Sequence, residues 1–217
     1  MDNNINDLGN PTPKPVKGGA GCLGASMIGC FGFVILLALG IFVYVNYNGM
    51  VTKEETVNSA WAQVENVYQR RADLIKNLVA TVKGYATHEQ TTLTEVIEAR
   101  SKATSVTVKA DNLNENNIQQ FEEAQSKLTS ALARLMVVVE KYPDLKANEG
   151  FLKLQSTLEK TEDQITIERK KFNDTAQDYN TYIRKFPKNM ISSIFNFEKK
   201  AYFKAEAGSN VAPEVKM

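Results

Sequence analysis

Histidine and cysteine are nearly missing from this chain. His88 stands alone, and the only two cysteines, Cys22 and Cys30, fall in or beside one apolar run near the N-terminus. A single histidine excludes a multi-histidine metal centre within one chain. Without cysteine beyond residue 30, the larger part of the chain can hold neither a disulfide framework nor a thiolate metal site. An excess of either charge is missing too. Its 26 Lys and Arg are matched by 25 Asp and Glu, so the chain as a whole has no electrostatic drive towards nucleic acid or anionic lipid. No glycine-rich phosphate loop occurs, because Gly18-Gly19-Ala20-Gly21 precedes the apolar run and not a nucleotide-binding helix. No Glu-x-x-His occurs either, which excludes the di-metal carboxylate site known from helical bundles. His88 has no cysteine partner in the soluble part and reads as a solvated helix residue. The chain therefore reads as non-enzymatic, with no cofactor.

What is present begins with the run from Leu23 to Val45, LGASMIGCFGFVILLALGIFVYV. It carries no charge, and about 20 apolar residues suffice to span the hydrocarbon of a bilayer as a helix. A buried core helix of such length would carry a polar stripe. Residues 22–46 are accordingly expected to form a transmembrane anchor that contacts lipid through side chains such as Leu23, Val34, Leu37 and Val45. Tyr44 and Tyr47 fall where interfacial aromatic residues belong. A cleaved signal peptide has a shorter apolar core and a small-x-small site after it, whereas this run leads into Tyr44-Val45-Asn46-Tyr47. Cys22 precedes the run, where a lipoprotein cysteine would follow it. Lys14 and Lys17 on one side outnumber Lys53 on the other, so the positive-inside rule favours a cytoplasmic N-terminus and an external soluble domain. Residues 1–21, rich in Asn, Pro and Gly, read as a flexible tail.

The remainder predicts an all-α domain, an antiparallel bundle of three to four long helices over residues 47–187. Thr52 and Glu55 form a capping box that predicts a helix start. Apolar residues then recur in steps of four and three at Val57, Trp61, Val64 and Tyr68, then Ile75, Leu78, Val82 and Tyr85. The pattern resumes at Leu93, Val96 and Ile97. An unbroken helix here would run about 50 residues, with Gly84 its kink point. After the loop Asp111–Asn117, a second helix carries Ile118, Phe121, Leu128, Leu132, Leu135, Val139 and Tyr142, and Pro143 stops it. A third carries Phe151, Leu154, Leu158, Ile165, Phe172, Ala176, Tyr179, Ile183 and Phe186, ended by Pro187. Residues 188–217 are expected to add a short helix and a tail. Ile191, Ile194, Phe195 and Phe197, among Lys185, Lys188, Lys199 and Lys200, suit either a strap over the end of the bundle or a foot that touches a partner or membrane. Three helices in alternation would leave Pro187 far from the anchor, which favours the strap.

One polar block interrupts the first seam. Arg71 falls where an apolar residue is expected, so it must be paired or reach water. Arg70, Arg71, Asp73 and Asn77, within RRADLIKNL, form the candidate polar cluster. It is either an internal ion pair to Glu162 or Glu168 that sets helix register or a polar groove for a partner.

NSAWAQVENVYQRRADLIKNLVATVKGYATHE, VVVEKYPDLKANEGFLKLQ, TEDQITIERKKFNDTAQDYNTYIRKFP and the closing FEKKAYFKAEAG with its Pro-x-Val ending resemble the LemA family of bacterial membrane proteins. The likeness runs in order from about Tyr47 to the end. Lys76 departs from it where the family has proline, which favours a continuous first helix here. The resemblance implies an N-terminal membrane helix, a long-helix bundle and no established enzymatic activity. The resulting expectation is a scaffold or adaptor of the bacterial cell membrane (the inner membrane in a Gram-negative cell). Its partners would be the lipid bilayer and another envelope protein, with no nucleic acid and at most weak self-association. Self-assembling membrane remodelling and a carboxylate-based hydrolase are the alternatives.

Overall fold

The computed structural model describes residues 21–204, with side chains from residue 31 onwards. The N-terminal tail, the side chains of Cys22, Leu23 and Cys30, and the closing Pro-x-Val segment lie outside the described residues. The described chain is all-helical, with no strand. Helix α1 spans Gly21–Tyr85, α2 Gln90–Ser105, α3 Glu115–Val139, α4 Pro143–Lys146, α5 Glu149–Arg184 and α6 Lys188–Ile194. Two compact units divide the chain, Met1–Tyr44 and Val45–Met217.

In the first unit, the described side chains are apolar and exposed, among them Phe31, Phe33, Val34, Leu36, Leu37 and Leu39. This is the one stretch among the described residues long and apolar enough to cross a membrane.

The second unit holds the core. The capping box expected at Thr52 does not start a helix. The Thr52 hydroxyl instead donates to the Asn48 carbonyl at 2.9 Å, one turn back inside α1, so no free N-terminal N–H is left to cap. Along α1, Trp61 meets Phe172, Arg71 meets Glu162 and Tyr85 meets Asn148. Position rises on α1 as it falls on α5, so the two helices run antiparallel. Gly49 lies so close to Tyr182 that a Cβ there would collide with the phenol oxygen.

The long first helix expected from Val57 to about Ser105 is two helices. After Tyr85 the chain turns at Ala86–Glu89 and α2 comes back, its Arg100 Nε donating to the Ala72 carbonyl at 2.7 Å. His88 sits exposed in that turn and not within a helix. Helix α3 pairs antiparallel with α2, through Gln125 to Ala103, Arg134 to Glu95 and Tyr142 to Glu89. Asparagine starts both later long helices: Asn114 Oδ1 accepts from the Asn117 N–H at 2.9 Å, and Asn148 Oδ1 from the Phe151 N–H at 3.0 Å. Proline at its first position suits the short α4.

The core has two halves. Ile75, Leu78, Val82, Val96, Leu128, Leu135, Val139, Leu145 and Phe151 make an aliphatic half. Trp61, Tyr68, Phe121, Phe172 and Phe203 make an aromatic half, with ring centroids 4.9–6.4 Å apart, mostly edge to face. Arg71 lies between them in the order of α1. Three residues of the expected seams are exposed: Tyr85, Ile97 and Phe186. Tyr85 ends α1, and its hydroxyl faces Asn148. Ile97 is rotated about 100° from the buried Val96. Phe186 lies beyond the end of α5.

Candidate functional site

The four residues of the polar block do not form one cluster. Arg71 turns inward and is only 2% exposed. Its Nε lies 2.7 Å from Glu162 Oε1, at ion-pair distance but not aligned for a hydrogen bond. Its Nη2 donates to the Thr129 hydroxyl at 2.7 Å. Glu168, the other acid within the expected reach of Arg71, takes Lys171 instead. Arg70, Asp73 and Asn77, spaced three and four apart, share an exposed face of α1. There Asp73 accepts from Gln69 and Arg100. Val34, Leu37 and Val45, expected as anchor residues, are all exposed.

Sequence reasoning passed over two asparagines. Asn173 and Asn180 lie on the buried side of α5, and each clamps the C-terminal strap from both directions. Asn180 Oδ1 accepts from the Lys200 N–H at 2.9 Å, while its Nδ2 donates to the Lys200 carbonyl at 2.8 Å. Asn173 does the same to Phe203, at 2.9 and 3.0 Å. Each side-chain amide acts as the neighbouring strand would in a sheet. The spacings match: seven helical residues rise about 10 Å, as do three extended ones. The clamps carry Phe203 into the aromatic half of the core. Two polar residues seven apart among Phe172, Ala176, Tyr179 and Ile183 were the available signal.

Lys200 is buried, and its Nζ lies 2.7 Å from Glu54 Oε1. Beside it, burial pushes the Tyr179 phenol well above its ordinary range, with Glu54 and Glu198 adding to the shift. Burial also raises the Glu65 carboxyl, against the opposing pull of the Trp61 indole N–H. That indole N–H donates to the Val108 carbonyl at 2.9 Å. Among the described residues, no three His, Cys, Asp or Glu gather as a metal ion would require.

Next to the start of this unit lies an apolar surface. Tyr47 packs edge to face on Phe195 and Phe197, with centroids 5.0 and 5.6 Å away. Sequence reasoning set Pro187 at the far end. The turn at Ala86–Glu89 adds a fourth long helix, so α5 comes back and α6 lies beside residue 47. Helix α6 ends at Ile194, and two residues on Asn196 has a left-handed φ of 57°, with the Phe197 N–H closing onto the Ser192 carbonyl. That reversal turns Phe195 and Phe197 towards Tyr47. Phe186, Met190, Ile194 and Phe195 remain exposed.

Comparison with known proteins gives a consistent set. The LemA family model matches residues 60–217. The magnetosome protein MamQ 2 of Paramagnetospirillum magneticum is 28% identical over 174 residues, covering 72% of this chain and 64% of its own. The chain thus spans under two thirds of that relative's length. The magnetosome protein MamQ of Magnetospirillum gryphiswaldense is 26% identical, covering 77% of this chain and 68% of its own. Protein LemA of Metamycoplasma hominis is 24% identical, covering 80% and 76% respectively.

Proposed function

As this chain belongs to the LemA family, we propose that it is a single-pass protein of the bacterial cell membrane whose antiparallel helical bundle acts as a non-catalytic scaffold or adaptor for another envelope protein. The carrying observation is the contrast along α1. From Phe31 to Val45 its apolar side chains are almost all exposed, while from Asn46 onwards it contributes regularly to a packed core. Exposing such a stretch to water costs about 25 cal/mol per Å² of apolar surface, and a bilayer removes that cost. The N-terminus lies in the cytoplasm and the bundle outside, by the balance of Lys14 and Lys17 against Lys53.

The reading is tested on the full chain in cells. Resistance to alkaline extraction, with external protease removing the bundle, is the expected result. Release into the soluble fraction would overturn the anchor, and protection of the bundle in cells with a permeabilised outer layer would overturn the orientation. In-cell crosslinking from the Arg70–Asp73–Asn77 face, read by mass spectrometry, should give a discrete envelope partner. Crosslinks only between copies of the chain would replace the adaptor with self-assembly.

A further inference from the structure

We infer that α6 and the turns flanking it form a membrane-surface foot, which seats Phe186, Met190, Ile194 and Phe195 among the acyl chains just below the headgroups of an anionic bilayer. The inference rests on the anchor reading above. Tyr47 is three residues beyond Tyr44, near the end of the apolar run, and three residues span at most about 10 Å. Tyr47 also touches Phe195 and Phe197 at ring-centroid distances of 5.0 and 5.6 Å. Whatever surface the apolar run enters, α6 therefore lies close to it.

The chemistry of the patch fits that surface. Met190 and Ile194, one turn apart on α6, face outward, while Ile191 between them is buried in the body. Phe186 precedes the helix and is 81% exposed, Ile194 is 72% exposed, and Phe195 is also exposed. Four large apolar side chains this exposed, within ten residues, are not scattered surface residues. Within residues 184–199 the sequence carries Arg184, Lys185, Lys188 and Lys199 against one acid, Glu198, while Asp178 across the Tyr182 ring is paired with Lys53. Lys200 is held by Glu54 and takes no part. Lys188 Nζ sits 3.5 Å from the centre of the Tyr182 ring, which holds that charge beside the patch. Aromatic and aliphatic groups edged by lysine are the composition of an interfacial helix, in which the apolar side enters the acyl boundary and the cations meet phosphate. The chain's near-zero net charge hides this local excess.

The test uses the full chain with Cys22→Ala and Cys30→Ala, reconstituted into vesicles of phosphatidylcholine with phosphatidylglycerol. Single cysteines at Ile194, Leu37 or His88 carry an environment-sensitive fluorophore, and spin-labelled lipids report depth. All three positions are exposed, so labelling leaves the core intact, and circular dichroism checks this. The Ile194 probe should be quenched severalfold more than the His88 probe, most strongly by lipid labelled near the headgroup. Leu37 should respond to deep labels. Combined Lys185→Gln, Lys188→Gln and Lys199→Gln should reduce Ile194 quenching towards the His88 level. Quenching at Leu37 with none at Ile194 would sink the foot and leave the anchor standing. A blue-shifted but unquenched Ile194 probe would mean that protein, not lipid, covers the patch. Loss of quenching at both positions would remove anchor and foot together, and equal quenching in pure phosphatidylcholine would overturn the anionic assignment.

Discussion

Arg71 and Glu162 form an ion pair of unequal partners: the Arg71 side chain is 3% exposed and that of Glu162 is 45% exposed. The cation is thus stranded without its partner, while the anion can rehydrate. Such asymmetry predicts which half of the pair is costly to remove. Breaking a buried pair and leaving a charge behind costs about 3–5 kcal/mol, whereas an apolar replacement of similar shape is often near neutral. Glu162→Ala should therefore destabilise the folded chain severely, and Arg71→Met only slightly. Urea unfolding of both variants measures this. Equal losses would mean that Arg71 reaches water in solution and that the pair does not set the register of α1 against α5.

Trp61 is fully buried, and its N–H is used. Trp61→Ala removes the ring contacts to Phe121, Phe172 and Phe203 and should cost about 3–5 kcal/mol. Trp61→Phe keeps an aromatic ring but leaves the Val108 carbonyl without its donor, at a cost of about 1–3 kcal/mol. Thermal midpoints should rank wild type, Phe, then Ala. The wild-type tryptophan emission should be blue-shifted and poorly quenched by iodide.

The asparagine clamps make a cooperative prediction. Asn173→Ala deletes two hydrogen bonds to the strap and Asn180→Ala three, the third running from its Nδ2 to the Tyr202 hydroxyl, and each should cost about 1–3 kcal/mol. Because both hold one segment, their effects should not add: once one clamp is lost, the strap frays past the other. Hydrogen exchange at the Lys200 and Phe203 amides is the direct readout. Unchanged protection in Asn180→Ala would show that the strap is held without this clamp, by Asn173, the Ala201 N–H on the Leu113 carbonyl and the rings around Phe203.

Glu65 gives a pH dependence of known sign. Burial raises its carboxyl in the folded chain, so its contribution to stability is fully present below the unfolded value and lost as pH rises through the folded one. Glu65→Gln should therefore raise the unfolding midpoint at neutral pH and leave it unchanged in acid. Glu65 is only partly buried, so the gain should be less than about 1 kcal/mol. Unfolding midpoints of the two chains across the acid range test it, and a gain that persists in acid would assign the effect to packing.

How much of this was legible in sequence varies by element. The seam residues Val57, Trp61, Val64, Ile75, Leu78 and Val82 are all buried, because a 3.6-residue period reports directly which helix face leaves water. The turn at Ala86–Glu89 was legible only as a kink at Gly84, not as a reversal. Its neighbours Val82, Ala86, Leu93 and Val96 keep the spacing of an uninterrupted helix, and no proline marks the reversal. Asn173 and Asn180 were missed for a related reason: a polar residue on an apolar face names a need for a partner without naming the partner.

The sequence alone determined that this chain is helical, that one stretch of it is long and apolar enough to cross a membrane, and which side of each helix is buried. Those properties follow from the residues within a few turns of one another. Only the tertiary structure decided that Arg71 takes Glu162 and leaves Glu168 to Lys171, that the strap threads Phe203 beside Trp61, and that α6 returns to Tyr47. Each depends on where the chain reverses, and one turn of four residues, marked in sequence only as a kink at Gly84, changes the direction of every helix after it.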